Sequence, residues 1–510
     1  LEGNANLYAL LASGFPQDRS KIAIETPERN YSWNDIEEMS GRLAALLHAL
    51  ELPEGARVAV QVEKSPEALM LYLATVRAGY VYLPLNTAYR AAEVEYFLTD
   101  AEPSVIVCDS ANQEWIGELA RKTGTPHVYT LDADGDGSLP VAAASQDEAF
   151  GIARSKPDDL AAILYTSGTT GRSKGAMLSH RNLASNAEVL NAYWGWSSDD
   201  VLLHMLPIFH VHGLFVASHG ALLAGARMIW LPRLNVDQAL QYLPRCTMMM
   251  GVPTYYVRLL ADPRFTREVC AGMRLFISGS APLLSETFND FRERTGHTIL
   301  ERYGMSETIM LTSNPYDPAE GERIAGTVGK PLPGVLVRVV DDELKPLPPG
   351  EIGGVQVRGP NVFSGYWRMP EKTREEFTPD GWFRTGDVGQ WGGEGVPDGY
   401  LSIVGRSKDL IISGGYNVYP KEIELVIDAL PGVDESAVIG VPHPDFGEAV
   451  VAVVVPRKGA TLDGEAMLAD LKQQLANFKV PKRIHFTDQL VRNTMGKVQK
   501  NVLREKYKTL

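Results

Sequence analysis

An α/β fold spread over more than one domain is predicted by two features of this sequence. Short apolar runs of strand length alternate with runs of helical length, the pattern of parallel βαβ units. The chain is also 510 residues long, two or three domains' worth and ample to bury sizeable cores. A third feature says where ligands would gather. Several apolar runs end in chemically unusual loops, and open parallel sheets bind ligands at the carboxyl ends of their strands.

In chain order, residues 56–61 read as a strand, 66–78 as a helix, 81–85 and 104–109 as strands, and 113–122 as a helix. Residues 161–165 read as a buried strand that runs into LYTSGTTGRSKGAM, residues 164–177. There the small residues 166–171 offer N–H and hydroxyl groups that can close around phosphate oxygens, with Arg172 and Lys174 supplying positive charge. The GxxxxGK[ST] phosphate loop does not fit, because Ser173 precedes Lys174 and Gly175 follows it; a flexible connection is the plain alternative. The alternation then resumes with strands at 201–205, 227–231, 247–252 and 275–278, and a helix around 213–223. Three strand-end loops stand out, LPIFHVHGL (206–214), GVPT (251–254) and SGSAPL (278–283), followed by ERYGMSETIM (301–310).

Composition narrows the function classes. With 45% apolar and 22% charged residues the chain is an ordinary globular protein rather than a disordered one. Its net charge of -14 argues against nucleic acid or an anionic membrane as partner, so positive charge for an anionic ligand must be local. From Lys479 onward nine Lys or Arg stand against Asp488 and Glu505, either a solvated basic tail or a surface for a phosphorylated ligand. Cys108, Cys246 and Cys270 are too scattered for a disulfide framework or a zinc pattern and suit a reducing compartment. No apolar run approaches the roughly 18 residues of a membrane span, and the opening residues do not form a secretory signal. A cytoplasmic protein is expected, although the first residue, Leu1, leaves room for an organellar targeting segment upstream. His204, His210, His212 and His219 cluster, but no cysteine or carboxylate falls at ligand spacing, which argues against zinc.

With GWFRTGD (381–387), GRSKDLIISGGYNVYPKEIE (405–424) and NTMGK (493–497), the strand-end loops resemble the ordered motif set of the adenylate-forming superfamily: acyl-CoA synthetases, peptide-synthetase adenylation domains and luciferases. The resemblance spans about residues 7–507. It implies a large N-terminal domain, residues 1–406, of two α/β subdomains and a β-rich section from about 320. A hinge at 407–409 and a small, mobile α+β lid at 410–510 complete it.

The resemblance also implies two half-reactions, in which a carboxylate attacks the α-phosphate of ATP and a thiol, that of CoA, then takes the acyl group. Thr166, Ser167, Gly168, Thr169, Thr170 and Lys174 match the loop around the β- and γ-phosphates, and Glu307 matches the ligand of Mg²⁺, a hard oxygen for a hard cation. Ser306 would donate to the α-phosphate, Tyr303 and Gly304 would flank adenine, and Ser280, Ala281, Glu301 and Arg406 complete the nucleotide contacts. Asp387 would accept both ribose hydroxyls, since a carboxylate offers only acceptors. Lys497 matches the catalytic lysine of the adenylation step, Lys408 the hinge residue, and Ser413, Gly414 and Gly415 the segment that meets pantetheine. His210 matches the gate between acyl pocket and thiol tunnel, and Val211, His212 and Met310 the acyl pocket lining.

Arg302 identifies the carboxylate. A guanidinium beside an acyl pocket is costly unless an anion meets it, which points to a substrate with a second, free carboxylate. A protein acid is the alternative partner, but Glu301 is excluded because neighbours on an extended segment face opposite ways. Arg258 is a weaker second candidate, and Ser280 could donate to the same group. Together these segments look most like malonyl-CoA synthetases. Val211 stands where those enzymes often carry threonine, which leaves tolerance of methylmalonate open. Rival readings are a ligase for another short carboxylate, a peptide-synthetase adenylation domain, a luciferase and a non-catalytic nucleotide-binding relative. Small-molecule substrates are expected, with no obligate protein partner.

Overall fold

The structure, a computed structural model, describes residues 3–166, 173–413, 416–475, 477–493 and 496–509. It comprises two compact units, Leu1–Leu336 with Arg358–Phe377, and Val337–Val357 with Thr378–Leu510.

The first unit is built on two mixed sheets. Among the described residues one has seven strands, in the order Gly365–Tyr366, Lys174–Ser179, Leu160–Thr166, Val81–Pro84, Arg57–Gln61, Val105–Cys108 and His127–Thr130. The last five run parallel, and Val105–Cys108 is buried at every residue, as a strand covered on both faces must be. The helix Pro66–Arg77 covers them. Ser65 caps it by accepting the Ala68 N–H, Pro66 fits its first turn, and every residue is buried. The strands expected at 56–61, 81–85 and 104–109 are thus present within a residue at each end. One strand has no counterpart in the sequence reading: Lys174–Ser179 runs antiparallel to Leu160–Thr166 and pairs Lys174 with Thr166. Its small residues Gly175 and Ala176 give little β signal, and tertiary pairing decides the outcome.

The second sheet has nine strands, in the order Lys330–Pro331, Ile309–Ser313, Ile299–Met305, Leu275–Ser278, Met248–Gly251, Val201–His204, Arg227–Trp230, Ile22–Glu25 and Asn30–Ser32. The six from Ile299–Met305 to Ile22–Glu25 are parallel. Phe276 and Phe291 pack with ring centres 4.8 Å apart and Tyr256 meets Phe291 edge-on, in a core with Phe265 and Leu259. The helix expected near 213–223 begins instead with a π-helical turn, His212–Ala217, before Ser218–Ala224 becomes α-helical. The Gly213 carbonyl explains this: it accepts the Ser218 N–H and hydroxyl (2.7 Å) and the His204 Nε2–H (2.9 Å).

A buried lysine connects the two sheets. Lys64, which follows the strand Arg57–Gln61, donates to His204 Nδ1 (2.7 Å), His204 O (3.1 Å) and Leu231 O (2.8 Å), and its ammonium lies 4.4 Å from the Trp230 ring centre. Burial drives its pKa well below that of an ordinary lysine.

The second unit contains a small α+β domain and, grouped with it rather than with the N-terminal part as the sequence suggests, a β-rich section. A four-stranded sheet runs Leu336–Val340, Gly353–Arg358, Phe383–Gly393, Val396–Arg406. A five-stranded sheet centres on the pair Val433–His443 and Gly447–Pro456, covered on both faces. Val450, Ala452 and Val454 face Ile423, Ile427 and Leu471, while the alternate Val451, Val453 and Val455 face Leu490 and Leu503. Residues 407–409, expected as a hinge, form a single 3₁₀ turn in this unit. Among the described residues no helix is long and apolar enough to cross a membrane, and all three cysteines are buried and unpaired.

His180 ties the amino-terminal helix to the first sheet. Its Nδ1 accepts the Leu7 N–H at 2.9 Å, so the ring must be the neutral Nε2–H tautomer, and burial holds its pKa down to about 4. The depressed value means that this bond stabilises the fold above about pH 6.5, the unfolded-state pKa, and is lost as pH falls towards 4. The shift corresponds to about 3 kcal/mol. Urea midpoints measured across this window should therefore fall with pH, and His180→Asn, which keeps an acceptor but cannot titrate, should flatten the slope.

Candidate active site

Four consecutive parallel strands of the nine-stranded sheet, Val201–His204, Met248–Gly251, Leu275–Ser278 and Ile299–Met305, end along one edge. The loops singled out in the sequence all leave from that edge. Their side chains converge there.

Arg302 is the centre of this cluster. It is 5% exposed, its Nε and Nη2 have no hydrogen-bond partner, and among the described residues no carboxylate pairs with it. Burial pulls even this guanidinium down to about pKa 9. Glu301 does face away, as the strand alternation requires, and its Oε1 accepts the Gly326 N–H at 3.2 Å. His212 lies beside Arg302, buried, with Nδ1 at 3.3 Å from Ser280 Oγ and Nε2 unpartnered. Burial first, then the Arg302 charge, keeps its pKa well below the usual histidine value, so the ring is neutral. His210 Nδ1 accepts the His212 N–H at 3.3 Å, and Val211 between them is buried. Ser280 holds φ at 71°, a left-handed conformation rare for serine, with the half-buried Ala281 next to it.

On the helix Pro253–Leu260 it is Tyr256 that turns inward, its hydroxyl donating to Ile277 O, whereas Arg258 two residues on is exposed. The other histidines are spoken for: His204 by Lys64 and Gly213, and His219 by the Tyr72 hydroxyl at 2.7 Å. Among the described residues no group of three or more histidine, cysteine or carboxylate side chains is placed to hold a metal ion.

A second cluster lies where the two sheets of this unit meet. Glu307, 5% exposed, receives the Tyr366 hydroxyl on Oε1 at 3.1 Å, and the Lys174 ammonium lies 5.3 Å from the Tyr366 ring centre. One tyrosine thus touches both the acid and the base of the expected phosphate site. A buried carboxylate directly after the Ser306 hydroxyl suits a hard cation such as Mg²⁺, which would draw its remaining ligands from phosphate oxygens and water. Thr166 ends its strand opposite Lys174. Ser167, Gly168, Thr169, Thr170 and Arg172 lie outside the described residues. Tyr303 and Gly304 continue from Arg302 along the same strand, and a Cβ on Gly304 would stand 1.8 Å from Ile309 O and 2.5 Å from Met310 Cε. The glycine is therefore needed by the hairpin itself, and it brings the buried Met310 against the strand. Asn186 and Asn361 fix the hairpin further by donating to Met310 O at 2.9 and 3.1 Å.

The second unit holds the remaining candidates. Asp387, 6% exposed, takes the Arg406 Nε on Oδ1 at 3.0 Å, and Ser407 donates to Gly386 O; Lys408 follows on the 3₁₀ turn. Lys497 is exposed on a tight loop that Asn493 closes, its side chain accepting the Lys497 N–H and its own N–H donating to Lys497 O, both at 2.9 Å. Ser413 is buried in a strand paired with Tyr416–Val418, and Gly414 and Gly415 lie outside the described residues.

Sequence reasoning passed over Tyr366, which sits in an unremarked GYW triplet, and Gly279, which sits within SGSAPL without chemistry of its own.

Comparison with known proteins shows the family. Residues 12–367 match the AMP-binding enzyme model and residues 422–497 its C-terminal domain. The chain belongs to the AMP-binding enzyme family. It is 58% identical to MatB from Rhodopseudomonas palustris, whose crystal structure with bound ATP superposes with a TM-score of 0.95 over 99% of both chains. It is 36% identical to the mitochondrial malonate-CoA ligase of Homo sapiens, over 84% of this chain and 78% of that one. It is also 34% identical to the sulfoacetate-CoA ligase of Cupriavidus necator, over 97% and 96% of the two chains.

Tyr366→Phe removes a hydrogen bond to a buried charged group and should cost about 1 to 3 kcal/mol of stability, read as a lower denaturant midpoint at unchanged slope. An unchanged midpoint would mean that water replaces the hydroxyl at no cost.

Proposed function

We propose that this chain joins malonate to CoA, cleaving ATP to AMP and pyrophosphate by way of malonyl-AMP. The observation that carries the proposal is the buried Arg302 guanidinium with two unpartnered nitrogens. Truncating or stranding such a group is expensive, so the site is completed by an anion that arrives with the substrate. A monocarboxylate consumes its only charge at the α-phosphate. A dicarboxylate keeps a second one for Arg302, with the His212 Nε2–H as a further donor, its tautomer fixed by the Ser280 hydroxyl donating to Nδ1.

The chemistry follows from the same residues. With the distal carboxylate held, the other attacks the α-phosphorus, and the bridging oxygen leaves with pyrophosphate. Lys174 with residues 166–170 holds the β- and γ-phosphates, and Ser306 donates to the α-phosphate. Tyr303, Gly304, Ser280, Ala281 and Glu301 border the adenosine, Asp387 with Arg406 takes the ribose hydroxyls, and Lys497 stabilises the charge growing on phosphorus. Glu307 would hold Mg²⁺, which would neutralise charge on the phosphates. In the second half-reaction the lid turns about Lys408, withdraws Lys497 and presents Ser413, Gly414 and Gly415 to pantetheine. The thiol sulfur bonds the acyl carbon, past His210, and AMP leaves with the electrons of the broken C–O bond. The buried unpaired thiols suit the cytoplasm or another reducing compartment.

Sulfoacetate is a second reading. It rests on the same orphaned guanidinium, which a sulfonate would satisfy equally, and on the likeness to the Cupriavidus necator ligase.

Acid-dependent ATP/pyrophosphate exchange without CoA tests both, run with malonate, methylmalonate, sulfoacetate and acetate. Exchange with malonate is expected to dominate; exchange with acetate alone would retain the adenylation chemistry and remove the dicarboxylate. Arg302→Ala should raise the barrier for malonate by roughly 2 to 5 kcal/mol, seen as a fall in kcat/KM with acetate little changed. Lys497→Ala should abolish exchange but leave thioester formation from supplied malonyl-AMP largely intact, and equal loss of both steps would reject its assignment.

A further inference from the structure

Two adjacent residues in the strand-end loop carry side chains opposite to what their backbones ask for. Ser280, at φ 71°, occupies a conformation that favours glycine, whereas Gly279 has no positive φ and would accept any residue on backbone grounds. Gly279 is small for a different reason. A Cβ built on it stands 2.0 Å from Arg302 Cζ, 2.3 Å from Nη1 and 2.4 Å from Nε. The guanidinium fills the volume that any other side chain at 279 would use. Being the end of a flexible side chain, it is also the part that would have to move.

We infer that Gly279 is a specificity-determining residue, acting by leaving the space in which Arg302 presents its two unpartnered nitrogens to the free carboxylate of the substrate. This deepens the proposed dicarboxylate reading and rests on it. The backbone at 279 is anchored independently, its N–H donating to Gly251 O at 3.2 Å, and the strand before it pairs on both sides. A methyl group there leaves the loop in place and displaces the guanidinium. His212, with Nε2 facing the pocket and Nδ1 against the Ser280 hydroxyl, stays in place, so an acid without a second charge retains its pocket. The expected signature is loss of discrimination between acids rather than loss of adenylation.

The test is a double-mutant cycle of Gly279→Ala and Arg302→Ala, read by malonate- and acetate-dependent ATP/pyrophosphate exchange, ATP affinity by calorimetry and the thermal midpoint. In the native background Gly279→Ala should lower malonate kcat/KM about tenfold or more while ATP affinity and acetate exchange stay within about threefold; in the Arg302→Ala background it should cost malonate nothing further. Equal cost in both backgrounds, or native malonate exchange by Gly279→Ala alone, overturns the inference. Should Gly279→Ala fail to fold, folding of the double variant upholds the steric link to Arg302, and failure of both overturns it by showing that the backbone needs the glycine. If Arg302→Ala itself leaves malonate exchange unchanged, the dicarboxylate reading falls first.

Discussion

A positive charge buried without a counter-charge is the constraint to which the first unit is fitted. Desolvating a guanidinium is tolerable only where the surroundings cannot relax around it, and Arg302 is placed accordingly. It stands on the strand that ends the parallel run, which pairs with Leu275–Ser278 on one side and Ile309–Ser313 on the other, with its neighbour Glu301 locked to Gly326 and with a neutral histidine against it. Rigid packing of Phe276, Phe291 and Tyr256 under the same strands keeps the edge from collapsing onto the charge. Water exclusion and preorganisation here have one structural origin.

The strands were legible in the sequence because they are short, apolar and bounded by loops, and the fold class followed from their alternation with helices. The site was legible for a different reason: phosphate, magnesium and adenylate chemistry require particular residue types in local runs, and such runs survive as motifs. Arg302 could be singled out on cost alone. What stayed hidden depends on contacts between distant segments. Nothing local marks Lys174–Ser179 as a strand, because its partner is supplied by pairing. Tyr366 lies 59 residues from Glu307, so no spacing rule joins them. The importance of Gly279 is an absence of atoms, visible only when the neighbouring side chain is in view.

Lys64 shows the same economy in the scaffold. Its three donors satisfy one imidazole nitrogen and two carbonyls across the two sheets, and the imidazole passes the constraint to Gly213 at the start of the π-helical turn. The histidine loop is thereby held from beneath by a network in which Lys64 and both nitrogens of His204 are partnered, while His212 Nε2 and two nitrogens of Arg302 are not.

The path of the chain carries one more consequence. The first unit is not contiguous, for Arg358–Phe377 belongs to it although Val337–Val357 lies in the second. During synthesis the two large sheets can begin to assemble once about 335 residues have left the ribosome, but the edge strand Gly365–Tyr366 and the hydroxyl that meets Glu307 emerge only later, after residues 337–357 of the next unit. Until then the nascent chain exposes the open flank of Lys174–Ser179, an unpaired sheet edge. The pairing of Gly365–Tyr366 with that flank is thus the last seam of the larger unit to close, and an interruption of translation between residues 336 and 366 would release a polypeptide with most of its core and an adhesive edge.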